Sequence, residues 1–323
     1  MGGEEVRGTS EEGFWTLETF LFIMLFSIII PIYNVEKYLC DCLESLLNQG
    51  FCDWESVCVN DGSTDGSLAV LEAFAERDAR IKVINQANTG TAAARNTGMK
   101  AAKGDYIFFL DSDDWLEKNA LQAIADNLNG EDVLCFSGRR YFEATNEYHS
   151  ADRLPEKTYT SGMAYYNENA LLPRDFAFVC VVLRVYRRAF IMENNLFFDQ
   201  DVSYEDNLWV PIMLCHTQTA KVIPDVLYVY RVREGSKMQE VSLARKKDML
   251  KVANRLAAFF IPMQGFDKTI VYRAITHHFQ VVLVNAPKDE RKELKRLCDW
   301  KSYETVSRTK LRHYMNYWKN KLT

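Results

Sequence analysis

The sequence has little that would carry it into or across a membrane. Its early apolar segment, residues 20–32, is shorter than the about 20 apolar residues that a spanning helix needs, and Pro31 interrupts it. Residues 1–15 are rich in Gly and Glu and have neither the basic region nor the small-residue cleavage site of a secretory signal. The sequence therefore argues against a signal peptide and against a spanning helix in this segment.

A metal-binding cysteine pattern is also absent. The chain has eight cysteines at irregular spacing, and most lie in apolar runs, where cysteine behaves as a small buried hydrophobic residue. This usage is typical of a reducing compartment, in which disulfides are rare. We therefore expect the protein to be cytoplasmic.

What the chain does have is enough apolar sequence for a large core. Of its 323 residues, 48% are hydrophobic and 13% aromatic, which favours one domain of about 200 to 250 residues plus an appendage. The net charge of −5 combines an acidic first part with a basic last part, which suggests two regions with different partners. We expect an extension outside the fold in residues 1–23, a domain in residues 24–236 that begins at Met24, and a basic helical region in residues 237–323.

Apolar strand patterns alternate with helical patterns along the domain. Predicted strands cover residues 24–34, 54–60, 81–85, 106–110, 133–137 and 221–230, and predicted helices cover residues 36–48, 67–77, 92–102 and 116–128. Such alternation indicates an α/β fold with a mostly parallel sheet flanked by helices. Residues 138–160 are polar and aromatic, which predicts a long loop or an edge hairpin over a site.

The most informative stretch is the strand at residues 106–110 and the acids that follow it. Apolar residues without polar alternation predict a strand that is covered on both faces. Asp111, Asp113 and Asp114 then lie at its carboxyl end, where open α/β sheets bind ligands. Because close carboxylates repel one another, a divalent cation that prefers oxygen ligands, Mg²⁺ or Mn²⁺, is expected among them. The alternative is that Asp113 or Asp114 caps a helix over residues 116–128.

A further acid lies at the end of the second predicted strand. Asp61 stands in the turn-rich loop at residues 60–67, and successive parallel strands place such loops at one edge of the sheet. Asp61 and Asp111 are therefore expected at one crevice. Each loop alone would be an ordinary turn, so the evidence is in their conjunction.

These loops belong to a recognisable set of motifs. The set consists of SIIIPIYN at residues 27–34, VNDGSTDGS at residues 59–67, Gly90 with Ala94-Arg95-Asn96-x-Gly98, and FLDSDD at residues 109–114. In this order and combination the motifs strongly resemble those of family 2 glycosyltransferases with the GT-A fold. The resemblance covers residues 26–115, with a weaker match to about residue 236. It implies a GT-A-like catalytic domain in residues 24–236.

The resemblance also implies a nucleotide-sugar site. Its residues come from the four motifs and from a later Arg-x-Arg-x-Gly-Ser stretch: Pro31, Tyr33, Asn34, Asp61, Arg95, Asp111, Arg231 and Arg233. In this site Asp61 would bind the base, Asp111 would lie near the ribose, and Asp113 would hold the metal that bridges the donor diphosphate. Many members have Asp where this chain has Asn60, which keeps the acceptor oxygen and loses the charge.

The three arginines of that site have alternative roles. Arg95 would contact the nucleotide side of the site, or it would pair with a neighbouring acid as an ordinary helix residue. Arg231 and Arg233 would clamp the leaving diphosphate with bidentate hydrogen bonds. The alternative for this pair is a surface turn.

Adjacent acids at Glu205 and Asp206 precede an apolar run at residues 209–214. Taken alone they are an ordinary helix start, since acids are favoured in the first turn. In the family an acidic pair at this point supplies the base, because an inverting transfer needs a carboxylate that removes the proton of the acceptor hydroxyl. Asp206 is the first candidate for this base and Glu205 is the second.

After residue 237 the sequence predicts basic helices that carry aromatic residues. They cover residues 241–260, 268–285, 288–300 and 303–322. Such helices either rest on an anionic membrane surface, next to a lipid-linked acceptor, or pack on the catalytic domain and expose their lysines to water. A nucleic-acid partner is not expected, because no nucleic-acid-binding module accompanies this charge.

The sequence and its resemblance together predict a metal-assisted, inverting glycosyltransferase. We expect it to move a sugar from a UDP-sugar to a glycan or lipid-linked acceptor in cell-surface polysaccharide synthesis, in the cytoplasm or at the inner face of the membrane. One alternative is a non-catalytic relative that binds a nucleotide sugar or glycan, which would be free to lose Asp113 or the acids at residues 205–206. Another is a phosphatase-type enzyme, whose nucleophilic Asp would follow the first strand, where residues 28–33 offer none.

Overall fold

The computed structural model of the chain describes residues 26–149, 153–170, 178–233 and 242–307. Some of the sequence predictions fall outside these residues. They include the N-terminal extension, the start of the fold at Met24, the Gly-Ser turn at residues 235–236, and the end of the last basic helix.

The strands and helices alternate as the sequence predicts. The strands are β1 Phe26–Ile32, β2 Trp54–Asp61, β3 Ile81–Gln86, β4 Tyr106–Phe109, β5 Trp115–Leu116, β6 Val133–Phe142, β7 Glu147–His149, β8 Lys157–Tyr159, β9 Arg184–Arg187 and β10 Ala220–Val232. The helices are α1 Glu36–Leu47, α2 Ser67–Arg77, α3 Thr91–Ala101, α4 Ala120–Asn127, α5 Gly162–Asn169, α6 Arg188–Glu193, α7 Glu205–His216, α8 Leu243–Phe260, α9 Thr269–Asn285 and α10 Lys288–Leu297.

The strands form one mixed sheet in the order β3-β2-β1-β4-β9-β6-β10-β5, with β7 beside β6 and β8 beside β10. The first half of this order, β3-β2-β1-β4, is parallel throughout. β9 pairs antiparallel with both β4 and β6, and it thereby separates this half from the parallel pair of β6 and β10. The prediction of a mostly parallel α/β sheet with flanking helices is confirmed. Its parallel half places the loops after β1, β2 and β4 at one edge.

β1 occupies the middle of the parallel half because its residues are almost all apolar. Ile28, Ile29 and Ile30 have no exposed surface. The carbonyl of Ile29 accepts the N–H of Leu110 beyond the end of β4. The backbone N–H and C=O groups of residues two apart in a strand point to the same neighbouring strand, so the backbone of Pro31 points to the side of β4, as that of Ile29 does. Because β4 has already ended at this level, the missing N–H of Pro31 removes no hydrogen bond from the sheet.

Helix α3 packs closely on β1 at a glycine of the third motif. A Cβ atom built on Gly98 would lie 2.4 Å from Cγ2 of Ile29. A larger residue would therefore push the helix away from the sheet. This close approach fixes the position of Arg95, which lies one turn earlier on α3.

The segment after the acids of residues 111–114 differs from the sequence prediction. Instead of a helix over residues 116–128, β5 pairs antiparallel with β10 and α4 begins only at Ala120. Neither Asp113 nor Asp114 caps that helix, and Asn119, with a φ of 62°, occupies the capping position. The capping alternative is therefore wrong, because Asp114 is already bound by β10. Residues 138–149 continue β6 and form the predicted edge hairpin with β7.

The C-terminal helices pack against the sheet domain through α7 and against one another. Phe260 of α8 and Phe279 of α9 are fully buried in the same core as the sheet. The side chain of Ser242 caps α8 by accepting the N–H of Arg245. α9 carries Arg273 as its single Lys or Arg, so it is apolar and not basic as predicted. Among the described residues, no helix combines the length and apolarity needed to cross a bilayer.

Candidate active site

The site begins at the turn that follows β4. The N–H of Asp114 donates to the carbonyl of Asp111 at 3.0 Å, which closes a turn and gathers the acids of residues 111–114. Asp111 and Asp113 are partly exposed, whereas Asp114 is buried. The turn therefore presents two carboxylates at the edge of the sheet and keeps the third inside.

Arg95 connects this turn with the acids that begin α7. Its Nη2 donates to Asp111 Oδ1 at 2.9 Å, and its Nη1 donates to Glu205 Oε1 at 3.0 Å and to Asp206 Oδ1 at 2.8 Å. The Arg95 side chain is only 4% exposed, and Phe198 lies 5.5 Å from the guanidinium. One buried cation thus holds three carboxylates that come from β4 and from α7.

The neighbouring Asn96 fixes the loop that leads into α7. Its Nδ2 donates to the carbonyl of Phe198 at 2.8 Å, and its Oδ1 accepts the N–H of Phe198 at the same distance. The indole of Trp209 donates from α7 to the carbonyl of Leu196 in that loop at 3.0 Å. The third motif therefore has three functions: Arg95 binds the acids, Asn96 anchors the preceding loop, and Gly98 admits the helix.

β10 supports the acidic turn from the opposite side. The hydroxyl of Tyr228 donates to Asp114 Oδ2 at 2.6 Å and accepts the N–H of Asp111 at 3.2 Å. The backbone N–H of Arg231 donates to Asp114 Oδ1 at 2.8 Å. Asp114 is therefore a buried structural acid that ties β10 to the turn.

The two arginines at the end of β10 have different environments. Arg231 is buried, and it donates from Nε to the carbonyl of Asp113 at 2.9 Å and from Nη2 to Asp41 Oδ2 at 2.6 Å. Arg233 is partly exposed and donates from Nε to Asp113 Oδ2 at 2.9 Å. Arg231 thus holds the backbone of the turn, whereas Arg233 neutralises its exposed carboxylate. The Gly-Ser part of this stretch, residues 235–236, lies outside the described residues.

Burial raises the pKa of several of these acids. It raises the pKa of Glu205 to about 7, with Arg95 opposing and Asp206 adding to the effect. It also raises the pKa of Asp206, against the attraction of Arg95. A carboxyl whose pKa approaches neutrality is suited to accept a proton at physiological pH. The pair at the start of α7 therefore has the chemistry of a general base.

The acids of the turn show the mutual repulsion that the sequence predicts. Burial and then the charge of Asp111 raise the pKa of Asp113, and Arg233 opposes this. Among the residues that the structure describes, no three His, Cys, Asp or Glu side chains converge as a metal cluster. The carboxylates of Asp111 and Asp113 nevertheless fit Mg²⁺ or Mn²⁺, because such a cation is often held by one or two carboxylates and takes its remaining ligands from phosphate and water.

The loop after β2 lies at the same edge of the sheet, and its acid is fully engaged. Asp61 accepts the N–H groups of Thr89 at 2.9 Å and Gly90 at 2.8 Å, and it also accepts Gln86 Nε2 at 2.7 Å. Asp61 thereby shapes the loop that leads into α3. Asn60 donates from Nδ2 to Asn85 Oδ1 at 2.9 Å, a hydrogen bond that an ionised Asp at this position could not donate.

The loop after β1 is attached to the loop after β2. Asn34, with a φ of 52°, accepts the N–H of Thr64 through Oδ1 at 2.8 Å and donates its own N–H to Ser63 Oγ at 3.2 Å. Tyr33 is 39% exposed beside it, and Pro31 is partly buried at the end of β1. These residues line the same edge as Asp61, so the edge carries every residue of the predicted nucleotide-sugar site that precedes β5.

Sequence reasoning missed three side chains that shape the site. Asn96 belongs to a quoted motif but received no role, and Tyr228 and Asp41 gave no signal at all. Tyr228 lies 114 positions from its partner Asp114, and Asp41 lies 190 positions from Arg231. A strand tyrosine and a helix carboxylate are common in any sequence, so only the folded chain reveals these pairings.

Comparison with known proteins gives consistent results. Residues 27–194, more than half of the chain, match the family described as Glycosyl transferase family 2. The chain is 32% identical over 313 residues to the uncharacterized glycosyltransferase EpsJ of Bacillus subtilis (strain 168), which covers 90% of this chain and 87% of EpsJ. It is 27% identical over 299 residues to the glycosyltransferase GlyG of Streptococcus pneumoniae serotype 4 (strain ATCC BAA-334 / TIGR4), with 87% and 93% covered.

Solved structures share the fold. S. aureus TarS in complex with UDP has a TM-score of 0.66 and 21% identity, over 91% of this chain and 89% of that one. The complex of TarS with UDP-GlcNAc has a TM-score of 0.60 and 23% identity, over 88% and 91%. The family match, the similarity to EpsJ and the shared architecture agree with the motifs at the sheet edge: this chain is a glycosyltransferase with the GT-A fold and belongs to glycosyl transferase family 2.

Proposed function

We propose that the enzyme transfers a sugar from a UDP-sugar to a glycan or lipid-linked acceptor with inversion at the anomeric carbon. The observation that carries this proposal is the Arg95 cluster, in which one buried cation joins Asp111 of the donor side to Glu205 and Asp206 of the acceptor side. The cluster holds a donor-binding turn and a candidate base in one fixed relation, which a displacement at carbon requires.

In the proposed reaction Asp206 removes the proton of the acceptor hydroxyl. The hydroxyl oxygen attacks the anomeric carbon, the bond from that carbon to the diphosphate oxygen breaks, and UDP departs with the bonding electrons. The Asp206 side chain is 26% exposed and that of Glu205 is 13% exposed, so Asp206 is the more accessible to an acceptor. Arg95 orients Asp206 and limits its basicity, since the cation favours the ionised form.

Asp113, assisted by Asp111, is the residue that we propose to hold Mg²⁺ or Mn²⁺. When bound, such a cation supplies positive charge to the diphosphate of the departing nucleotide. Arg233 is the arginine that we propose to contact the diphosphate, because its partner Asp113 would then be free for the cation. Arg231 keeps the turn in place through the carbonyl of Asp113.

UDP is the proposed nucleotide because TarS, which shares this fold, is solved with UDP and with UDP-GlcNAc. A relative that is 28% identical over 67% of this chain, TarS of Staphylococcus aureus, is described as a poly(ribitol-phosphate) β-N-acetylglucosaminyltransferase. By analogy we propose an enzyme of cell-surface polysaccharide synthesis, and we propose the cytoplasm as its compartment. Peripheral contact with the inner face of the membrane remains part of this proposal for a lipid-linked acceptor.

A thermal-shift titration of the whole chain tests the nucleotide assignment. UDP with Mn²⁺ should raise the Tm by several degrees, because a ligand at 100 times its Kd stabilises the folded state by about 2.7 kcal/mol. EDTA should remove most of this gain. GDP and CMP are the matched controls, and a larger shift with either of them, or no shift with any nucleotide, would contradict the proposal.

A further inference from the structure

The carboxylate of Asp206 has a second hydrogen-bond donor besides Arg95. Burial raises the pKa of Asp206, and the backbone N–H of Val181 opposes this effect by donating to the carboxylate, as Arg95 does. Val181 begins a short 3₁₀ helix, Val181–Leu183, directly before β9. The candidate base is therefore held by donors from two separate elements, α3 and the start of this 3₁₀ helix.

The place of Val181 in the chain leaves its N–H available for this contact. The first N–H groups of a helix have no carbonyl partner within the helix, and Val181 is the first residue. Cys180 before it is extended, with a φ of −61° and a ψ of 114°. The start of the 3₁₀ helix thus offers a donor, and Asp206 at the start of α7 accepts it.

Arg184 holds the same peptide group from its other side. Its Nη1 donates to the carbonyl of Cys180 at 2.6 Å and its Nη2 to the carbonyl of Phe178 at 2.5 Å. The residue is only 3% exposed. The carbonyl of Cys180 and the N–H of Val181 belong to one planar peptide unit, so a cation on the carbonyl oxygen fixes the direction of the N–H and strengthens it as a donor. One peptide group thus connects the buried Arg184 with the candidate base.

The next peptide group is fixed as well. The hydroxyl of Tyr186 in β9 donates to the carbonyl of Val181 at 2.9 Å. The Tyr186 ring is fully buried, and its centroid lies 5.7 Å from that of Phe109 and 5.1 Å from that of Trp209. A ring packed between β4 and α7 has little room to move, because protein interiors are close-packed. Val181 is therefore tied to the sheet through its carbonyl and to α7 through its N–H.

Two donors restrict Asp206 more than Arg95 alone would. The torsion that turns a carboxylate about its own axis has broad minima, so a single hydrogen bond leaves the carboxylate plane free to rotate, whereas a second donor from another element fixes it. A carboxylate accepts about four hydrogen bonds, and the Asp206 side chain is 26% exposed. A lone pair therefore remains for an acceptor hydroxyl, and its direction is set before the acceptor binds.

We propose that the peptide group between Cys180 and Val181 orients the carboxylate of Asp206 toward the acceptor hydroxyl. Arg184 and Tyr186 are then positioning residues, which act on the reaction only through Val181 and its N–H. This inference rests on the proposed function, in which Asp206 is the base, and it adds a neutral donor that keeps the base in one orientation.

Val181→Pro tests the N–H itself. Proline has no N–H, and its fixed φ of about −65° suits the first residue of a helix that follows an extended residue. Val181→Ala keeps the N–H and is the matched control for the loss of the valine side chain. The assay is hydrolysis to UDP and free sugar, with Mn²⁺ and saturating UDP-glucose, UDP-galactose or UDP-GlcNAc.

Val181→Pro should hydrolyse the UDP-sugar about tenfold or more slowly than Val181→Ala, because a hydrogen bond to a charged group is lost. Both variants should bind UDP within about twofold of wild type, since the donor site is unchanged. A fall in kcat at unchanged UDP affinity separates positioning of the base from a general loss of structure. Thermal unfolding of both variants shows that they are folded at the assay temperature.

Tyr186→Phe and Arg184→Lys are conservative changes of the two positioning side chains. The first removes the donor to the carbonyl of Val181, and the second keeps a cation but loses the fork that holds two carbonyls. Each should lower kcat about threefold or more without changing the UDP affinity. Tyr106→Phe is the matched control, because it removes a buried hydroxyl at the opposite end of β4 from the site, and it should leave kcat unchanged.

Equal hydrolysis by Val181→Pro and Val181→Ala would overturn the inference, and so would a loss of UDP affinity as large as the loss of rate. If Val181→Pro does not fold, Tyr186→Phe decides, and a rate equal to that of Tyr106→Phe overturns the inference. A wild-type protein that neither binds UDP nor hydrolyses any of the three UDP-sugars would instead contradict the proposed function, and this inference would fall with it.

Discussion

Arg95 pairs with carboxylates that lie 16, 110 and 111 positions away in the chain. From sequence its role was open between a contact to the nucleotide and a pairing with a nearby acid. The structure shows pairing, and the partners include both candidates for the base. Burial would lower the pKa of Arg95, but the charges of Asp206, Asp111 and Glu205 raise it above its ordinary value, so the guanidinium stays ionised.

The electrostatic environment of Glu205 can be tested through the pH dependence of the free energy of unfolding. Its pKa rises from 4.5 to about 7 on folding. The stability linked to this group is therefore fully present below about pH 4.5 and is lost as the pH rises through about 7. Glu205→Gln removes this dependence, so the variant should gain roughly 1 to 3 kcal/mol over wild type at pH 8 and much less at pH 5.

Thermal unfolding of both proteins at pH 5 and pH 8 measures this difference. Glu193→Gln, an exposed acid on α6, is the control and should show the same Tm difference at the two pH values. A Glu205→Gln variant that is less stable than wild type at pH 8 would show that the ionised carboxylate stabilises the fold, contrary to the environment described for it.

The site residues that could be identified from sequence are those in motifs that are recognisable by their order and combination along the chain. Asp61, Asp111 and Asp113 end parallel strands, and the strand pattern alone brings them to one edge. Tyr228 and Asp41 could not be identified, because their partners are distant in sequence and their residue types are unremarkable. The roles predicted for the donor-site residues and for Asp206 stay predictions until variants are measured.

At the scale of single elements, β10 explains the one clear error in the secondary-structure prediction. The apolar spacing of residues 116–128 is compatible with a helix, yet β5 occupies its start. β10 supplies the backbone partners of β5, and Tyr228 and Arg231 bind Asp114 in the turn before it. Tertiary hydrogen bonds thus overrode a local helical pattern, which single-sequence periodicity cannot anticipate.

Asn96 gives a prediction for the loop that precedes α7. Asn96→Ala removes both hydrogen bonds to Phe198 and leaves its buried N–H and carbonyl without these partners. We expect a loss of about 1 to 3 kcal/mol in unfolding free energy, since unpaired buried polar groups cost this much. The acids of α7 should also lose their fixed position, so turnover should fall more than UDP affinity.

Denaturant unfolding and UDP calorimetry measure these two effects. Asn194→Ala is the matched control, because its amide also donates to a backbone carbonyl, that of Phe190 in the short helix α6, but does not contact the loop before α7 through Phe198. That variant should change turnover little. Unaltered stability and turnover in Asn96→Ala would show that the loop before α7 is held by other contacts.

At the scale of the whole molecule, the structure changes the expectation for the basic C-terminal region. Lys246 and Lys247 of α8 pair with acids of α10, and Arg255 pairs with Asp199 of the catalytic domain. These charges stabilise the packing of the helices and are not free for lipid headgroups. Among the C-terminal residues that the structure describes, the basic surface available to a membrane is therefore narrower than the sequence count suggests, and exposed Lys and Arg side chains remain on α10.

Vesicle co-sedimentation tests whether these side chains contact a membrane. If α10 rests on anionic lipid, the protein should pellet with anionic vesicles and not with neutral ones, and added salt should release it. Lys292→Glu reverses an exposed charge of α10 and should lower the bound fraction several-fold, since each basic residue near the surface contributes about 1 kcal/mol. Lys103→Glu, an exposed lysine before β4, should not.

Equal recovery in the supernatant with both lipids would favour the other expectation, that these helices only pack on the catalytic domain. The predicted division into residues 1–23, 24–236 and 237–323 stays a prediction. The described strands lie between residues 26 and 232, and both the first region and the boundary near residue 236 lie outside the described residues.

The central claim is that the acidic turn serves the donor and that the acids of α7 serve the acceptor. The most direct measurement is the rate at which Asp206→Asn hydrolyses saturating UDP-sugar to UDP and free sugar, with water as the acceptor and Mn²⁺ present, together with the UDP affinity by calorimetry. The account predicts a rate about 10²-fold or more below wild type with UDP affinity within twofold, because a positioned base is lost and the donor site is not. Asp113→Asn, as the reference, should weaken metal-dependent UDP binding as well. Near-normal hydrolysis by Asp206→Asn, with loss only in Glu205→Gln, would move the base by one residue, and near-normal hydrolysis by both would contradict the claim.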